Sequence, residues 1–357
     1  MLALSAFRQN RPSPERSAMH KTWLKQYPAG VPAEIRTDGY PSLVALLEDA
    51  FRRHRDLCAY RYMGRSMRFG EVDTLSQAFA AWLQSQGIER GDRVAVMLPN
   101  VPQYPVAVAG ILRAGGVVVN VNPLYTPREL EHQLKDAGAK AIVILENFAA
   151  TLQQVFDAVP TKKVVVASMG DLLGRFKGAL VNHVVRNVRK LVPAHAIPGA
   201  LRFNDVVARG RRLRHTTPDI GPDDIALLQY TGGTTGVSKG AVLLHRNLVA
   251  NVLQSEAWYQ PALKKVPAGE QIVTVCALPL YHIFGFTANM MLGMRTGGCN
   301  LLIPNARDLP ALLAELSRHR FHSFPAVNTL FNAIAHHPDF GKVDWSHLRI
   351  SVGGGMA

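Results

Sequence analysis

At 357 residues with 48% hydrophobic content, the chain has apolar material for one large domain or two subdomains, which excludes a disordered or disulfide-dependent miniature protein. Its 40 Lys and Arg against 26 Asp and Glu leave a net charge of +14, favouring anionic partners such as nucleotides, acidic lipid headgroups or nucleic acid. Three cysteines, Cys58, Cys276 and Cys299, stand far apart without metal-ligand spacing, which argues against a disulfide framework and fits a reducing cytoplasm.

Met1 to Lys25 carries Arg8, Arg11, Arg16, Lys21 and Lys25 but no continuous apolar core of a signal peptide, so residues 1–35 read as a basic, disordered leader. Pro41 to His54 reads as a helix with Leu43, Leu46, Leu47, Ala50 and Phe51 on one face. From Asp92 strands and helices alternate: a strand at Arg93–Leu98, a helix at Pro105–Arg113, and a strand at Val117–Val121 after Gly115 and Gly116. Thr126-Pro127-Arg128-Glu129 is a capping-box start for a helix to Ala137, followed by a strand at Ala141–Leu145, a helix to Val159 and a strand at Val164–Ala167. Such alternation predicts an α/β fold with a mainly parallel sheet covered on both faces.

Between Leu172 and Thr217 ten Lys and Arg face the single acid Asp205. Within that insert, Gly178 to Val192 reads as an amphipathic basic helix, with Leu180, Val181, Val184, Val185, Val188, Leu191 and Val192 on one face. It suits either an anionic membrane surface or ordinary packing on the core. No aromatic interleaving or reader motif accompanies the bases, so nucleic acid is not expected.

The apolar run Ile225–Gln229 then breaks into Tyr230, Thr231, Gly232, Gly233, Thr234, Thr235, Gly236, Val237, Ser238, Lys239 and Gly240. Backbone N–H groups, hydroxyls and one cation so concentrated predict a loop that closes around phosphate. It is not a Walker A loop, because Lys239 follows Ser238 and precedes Gly240. Downstream, Ile272–Met294 is apolar enough to raise a membrane span, but Pro279, His282, Gly285 and Asn289 argue for a buried strand, a turn and a helix. Asp308 can cap a helix to Arg318, Phe321–Phe324 reads as a strand, Val327–Ile334 as a helix, and Leu348–Val352 as a strand entering Gly353, Gly354 and Gly355.

Tyr230 to Leu248, Asn120 to Leu130 and Leu278 to His282 together resemble the adenylate-forming superfamily, within it the bacterial long-chain fatty acid–CoA ligases. The resemblance runs from about Pro41 to the last residue. It implies two similar αβαβα layered subdomains, at 36–220 with the basic insert near 172–217 and at 221–357 with the phosphate loop. It also implies ATP-dependent activation of a long-chain fatty acid to acyl-AMP and then acyl-CoA, using ATP, Mg²⁺ and coenzyme A. By resemblance, Tyr230 to Gly240 would hold the ATP phosphates, Lys239 would add charge, Thr231 would help hold Mg²⁺, and His282 would border the reacting carboxylate and α-phosphate. Gly353, Gly354 and Gly355 would approach the adenine, where a missing Cβ permits close contact. Tyr281, His282, Ala326, Val327, Asn328 and Thr329 would line the acyl pocket.

In the family a Tyr-Gly-x-Thr-Glu segment, a ribose-binding aspartate and a mobile lysine-bearing domain follow the point reached by Ala357. The chain is therefore expected to be the amino-terminal portion of a ligase, poorly active alone, in the cytoplasm or peripheral on the inner face of the membrane. Two alternatives stay open: a ligase forming another acyl- or aryl-adenylate, and a non-catalytic, membrane-associated nucleotide-binding fragment.

Overall fold

Val94–Met97, Val117–Val119 and Ala141–Leu145 are apolar on both faces and buried throughout, as parallel strands covered on both sides must be. They form the centre of a seven-stranded sheet in a computed structural model that describes residues 21–231 and 238–355. The strands are β1 (Cys58–Tyr62), β2 (Arg65–Arg68), β3 (Arg93–Met97), β4 (Val117–Asn120), β5 (Ala141–Leu145), β6 (Lys163–Ala167), β7 (Leu201–Arg202), β8 (Ile225–Thr231), β9 (Lys239–Leu244), β10 (Val273–Cys276), β11 (Cys299–Leu302), β12 (Ser323–Ala326) and β13 (Ile350–Gly353). One sheet runs β7-β6-β5-β3-β4-β8-β9 and the other β13-β12-β10-β11-β1-β2. Pairing is parallel except for the hairpins β1–β2 and β8–β9.

The sheets exchange strands across the boundary expected at residues 220 and 221. The hairpin β1–β2 extends the sheet of β10–β13, whereas β8 and β9 extend the sheet of β3–β7. The β8–β9 hairpin thus forms the edge of the sheet built by the earlier strands. Between the sheets lies the main apolar cluster, to which the helices Leu43–Arg53, Phe69–Ser85, Gln103–Arg113 and His245–Leu263 contribute. Arg113 is buried there and bonded by Glu48 at 2.7 and 2.9 Å and by Asp73 Oδ1 at 2.6 Å, with Phe51 under its guanidinium. A buried charge persists only when so paired.

The Thr126 capping box is present: the Glu129 N–H donates to Thr126 Oγ1 at 3.4 Å and the Thr126 N–H to Glu129 Oε2 at 2.8 Å. Asp308 caps Leu309–Leu316 by accepting from the Ala311 N–H. Two expectations change. The helix expected up to Val159 is a set of single turns, with Ala149–Gln153 the helical part, because Ala149, Leu152, Val155 and Val159 all turn to the sheet. The basic helix starts at Arg175 and passes at Val184 into a π-helical turn ending at Val188. Its apolar face is divided: Val185 is buried, while Phe176 (94% exposed), Leu180 (64%) and Val188 (66%) face outward. Arg186 pairs with the buried Glu146 at 2.7 Å while its own side chain stays exposed.

Ile272–Met294 divides into β10, a turn and a helical segment, as expected, with a π-helical turn at Phe286–Met291. Among the described residues no helix is long and apolar enough to cross a membrane. The leader up to residue 20 lies outside the described residues.

Candidate functional site

β8 ends at the carboxyl edge of its parallel partner β4, and β10, β12 and β13 end together at the carboxyl edge of the other sheet, the edges where open α/β sheets receive ligands. The sequence-predicted residues are distributed over those ends. Thr231 closes β8 and Lys239 opens β9, and the two are register partners, as are Tyr230 and Gly240. Gly232, Gly233, Thr234, Thr235, Gly236 and Val237 lie outside the described residues. What is described is the neck that holds them: Ser238 Oγ donates to the Thr231 carbonyl at 3.0 Å, and His132 Nε2 lies 3.1 Å from the Ser238 carbonyl oxygen. Thr231 and Lys239 are exposed at the mouth of the hairpin.

Tyr230 is a support. Its hydroxyl donates to Asp136 Oδ2 at 2.6 Å, and burial, reinforced by that carboxylate, pushes the phenol well above its ordinary range. Gly240 crosses its ring so closely that a Cβ there would stand 3.0 Å from two ring carbons. Tyrosine and glycine together seat the hairpin on the sheet.

His282 enters through hydrogen bonds that sequence reading missed. Gln229 Nε2 donates to the Tyr281 carbonyl at 3.2 Å, tying the residue before His282 to the residue before Tyr230. Asn100 Nδ2 donates to the Cys276 and Leu278 carbonyls, both at 2.9 Å, and its Oδ1 accepts from the Leu280 N–H at 2.8 Å. The Tyr104 hydroxyl lies 2.7 Å from both the Leu280 carbonyl and Asn120 Oδ1, and Asn120 Nδ2 donates to Gln229 Oε1 at 3.2 Å. Asn100, Tyr104, Asn120 and Gln229 are all buried. Their signal in the sequence was a polar residue set inside or beside an apolar run: Asn120 after Val117–Val119, Gln229 after Ile225–Leu228.

His282 caps the next turn, its Nδ1 accepting the Phe284 N–H at 3.2 Å. In the neutral ring the proton therefore sits on Nε2, which makes His282 a hydrogen-bond donor. Desolvation lowers its pKa, so the neutral donor form dominates near neutral pH.

Gly353 pairs with Ala326 at the ends of β13 and β12, and Gly354 lies against the Phe284 ring, where a Cβ would approach within 3.1 Å. The glycine turn, the β12 end and the His282 segment are thereby brought together, and Gly355 continues the turn with φ +70°. Ala326 is fully buried, Val327 partly so, and Asn328 and Thr329 are exposed on the first turn of Asn328–Ala335. Phe331 stacks edge-on with Phe324 at 5.4 Å. Two cavities lie elsewhere: about 680 Å³ between Tyr27–Ile35 and the Trp258 end of a helix, and about 240 Å³ beside Arg90 and Asp224. Neither is lined by Tyr281, His282 or residues 326–329.

Glu270, His322 and His347 place one ligand atom each within 4.8 Å of one another. His322 Nδ1 accepts the Val273 N–H at 3.1 Å, so its proton belongs on Nε2, 3.3 Å from Glu270. That proton occupies the atom a metal would need. At the β8–β9 hairpin the donor type is different: Thr231 offers oxygen, which suits a hard cation such as Mg²⁺.

Comparison with known proteins identifies the fold and the family. Solved structures with this fold include an anthranilate CoA ligase in complex with anthranoyl-AMP (TM-score 0.73, 22% identity, covering 89% of this chain and 56% of that one). A long-chain-fatty-acid-CoA ligase from Archaeoglobus fulgidus has a TM-score of 0.70 at 22% identity, covering 93% of this chain and 60% of that one. The fold is therefore that of the adenylate-forming enzymes. The AMP-binding enzyme model matches residues 47–357, and the chain belongs to that family. Among curated proteins it is 52% identical over 339 residues to a long-chain-fatty-acid–CoA ligase of Yersinia pestis, covering 95% of this chain and 60% of that protein. The chain thus spans about 60% of the length of such curated relatives.

Proposed function

We propose that this chain supplies the ATP- and carboxylate-binding part of a long-chain fatty acid–CoA ligase, which forms acyl-AMP and then acyl-CoA. The observation that carries the reading is the Gln229–Tyr281 hydrogen bond, which fixes the His282 segment beside the neck of the phosphate hairpin. The 52% identity to a long-chain ligase favours a long-chain acid over an aryl acid.

In this reading the backbone and threonines from Thr231 to Gly240 receive the ATP phosphates, and Lys239, at the mouth, offsets their charge. Thr231 would help hold the Mg²⁺ that accompanies ATP, screening phosphate charge. Gly353 to Gly355 admit the adenine. His282 donates from Nε2 toward the oxygens where carboxylate and α-phosphate meet. The fatty acid carboxylate is itself the nucleophile, so the residues act by alignment and charge neutralisation, without a covalent enzyme intermediate. Tyr281, Ala326, Val327, Asn328 and Thr329 belong to the acyl side of that junction.

The exposed side chains of Phe176, Leu180, Val188 and Leu191, together with Arg175, Lys177, Arg189 and Lys190, support peripheral contact with an anionic membrane. Such contact would bring the enzyme to the surface where its acid is dissolved.

The test is thioester formation by the full-length protein from palmitate, ATP and coenzyme A. Palmitoyl-CoA, with one AMP per thioester, is expected. Release of acyl-AMP without any thioester, or turnover of benzoate in preference to palmitate, would overturn the long-chain CoA-ligase reading.

A further inference from the structure

Cys58 opens β1 and Cys299 opens β11, strands that lie side by side in the six-stranded sheet although the two residues are 241 positions apart. Both are free thiols, and their sulfurs are 3.1 Å apart. That is well inside ordinary contact and about 1 Å from the disulfide bond length of about 2.05 Å. The backbone around them is clamped: Gln271 Nε2 donates to the Cys58 carbonyl at 2.7 Å and to the Gly297 carbonyl at 2.8 Å, joining the two chain segments just beside the thiols. The sequence showed no such pair, because only the sheet brings the segments together.

The two thiols are unequal. Cys58 is partly exposed, whereas Cys299 is buried. The Cys299 thiol, then Ser66 and the Arg61 guanidinium, hold the Cys58 thiol below its ordinary range, while contact with Cys58 and burial push Cys299 up. A partly exposed thiolate beside a resolving thiol is the arrangement that oxidants select. Cys276, the third cysteine, is fully buried in β10, its sulfur 3.9 Å from the Leu278 carbonyl, and serves as an internal control.

We propose that Cys58 and Cys299 are a peroxide-sensitive dithiol, which closes to a reversible disulfide and staples β1 to β11. The Cys58 thiolate attacks one peroxide oxygen, the O–O bond breaks, and Cys58 becomes a sulfenic acid as hydroxide departs and takes up a proton to become water. Cys299 sulfur then attacks Cys58 sulfur, the S–O bond breaks, and a second water leaves with the Cys299 proton. Overall two thiols and one hydrogen peroxide give one disulfide and two waters. A small dithiol such as dithiothreitol reverses the change. The bond would lock the hairpin β1–β2 onto the sheet that ends at Ala326 and Gly353, joining strands from opposite ends of the chain.

The experiment is to treat the full-length protein with a small excess of hydrogen peroxide, alkylate it, and digest it with trypsin without reduction. The expected product is peptide 56–61 joined to peptide 296–307, two hydrogens lighter than the sum of its parts and separated by dithiothreitol. Cys276, in peptide 266–295, should stay a thiol. The oxidised protein should melt at a higher temperature than the reduced one, and Cys58→Ser should abolish that difference. Recovery of both peptides as separate alkylated thiols, a Cys58 sulfinic acid without cross-link, or a disulfide joining two copies of the protein would overturn the proposal. Cys299→Ser adds an independent reading: Cys58 should then trap as sulfenic acid, and an unreactive Cys58 would count equally against it.

Discussion

Asn100→Ala is the perturbation that bears most directly on how the site is held. The Asn100 amide satisfies Leu278 and Leu280 in the segment that leads to His282. The Cys276 carbonyl keeps the Ile303 N–H when Asn100 is truncated, so two buried backbone groups, the Leu278 carbonyl and the Leu280 N–H, lose their principal partner. Each orphaned group costs about 1–3 kcal/mol, so a loss of about 3 kcal/mol is expected. For a chain of this size, at about 2.1 cal/mol/K of unfolding entropy per residue, that corresponds to a fall in melting temperature of about 4 °C. The same change should lower ATP–pyrophosphate exchange in the full-length protein, because the Leu278–Leu280 segment that leads into His282 loses the amide that holds it, leaving the Gln229–Tyr281 bond alone. His282→Ala provides the contrast, since it should lower exchange with little effect on melting. If Asn100→Ala melts within about 1 °C of wild type and exchanges pyrophosphate normally, the claim that buried amides position the site is wrong.

Lys239→Ala removes an exposed cation from the hairpin mouth, so exchange should fall about tenfold or more while the melting temperature stays unchanged; unaltered exchange would remove Lys239 from the mechanism. His245 is buried and its Nδ1 accepts the Leu43 N–H, and desolvation pulls its pKa down to about 4. The unfolded ring titrates near 6.5, so this contribution is complete above about pH 6.5 and declines as pH falls toward 4, by about 3 kcal/mol in all. His245→Asn should flatten the pH dependence of stability between pH 7 and 4.5, and identical slopes in both proteins would refute the assignment. Phe176→Ser with Arg189→Glu and Lys190→Glu should abolish salt-sensitive binding to phosphatidylglycerol vesicles; unchanged binding would remove this surface from membrane contact.

The alternation of strand and helix was legible because a strand buried on both faces needs an uninterrupted apolar run, and β3, β4 and β5 are written that way. Caps were legible too, since Thr126 and Asp308 act on residues three positions away. Sheet membership was not. Nothing local tells the Cys58–Tyr62 run to pair with β11, or β8 to pair with β4, because those choices rest on contacts between distant segments. The same reason hid the positioning residues. His282 and the phosphate-loop residues carry recognisable chemistry, whereas Asn100 and Gln229 acquire theirs only when a backbone from elsewhere arrives opposite their amides. The basic helix hid one pairing: Arg186 belongs by periodicity with the solvated charges and is exposed, yet its guanidinium also reaches the buried Glu146, which no local pattern announces.

Fatty-acid-dependent exchange of labelled pyrophosphate into ATP by the full-length protein tests the central claim most directly, because it reports acyl-adenylate formation without requiring coenzyme A. The account predicts exchange that requires a long-chain acid, rises with palmitate, and falls when Lys239 or His282 is replaced by alanine. Exchange that proceeds without any carboxylic acid, or is absent with every chain length offered to a protein that binds ATP, would contradict it.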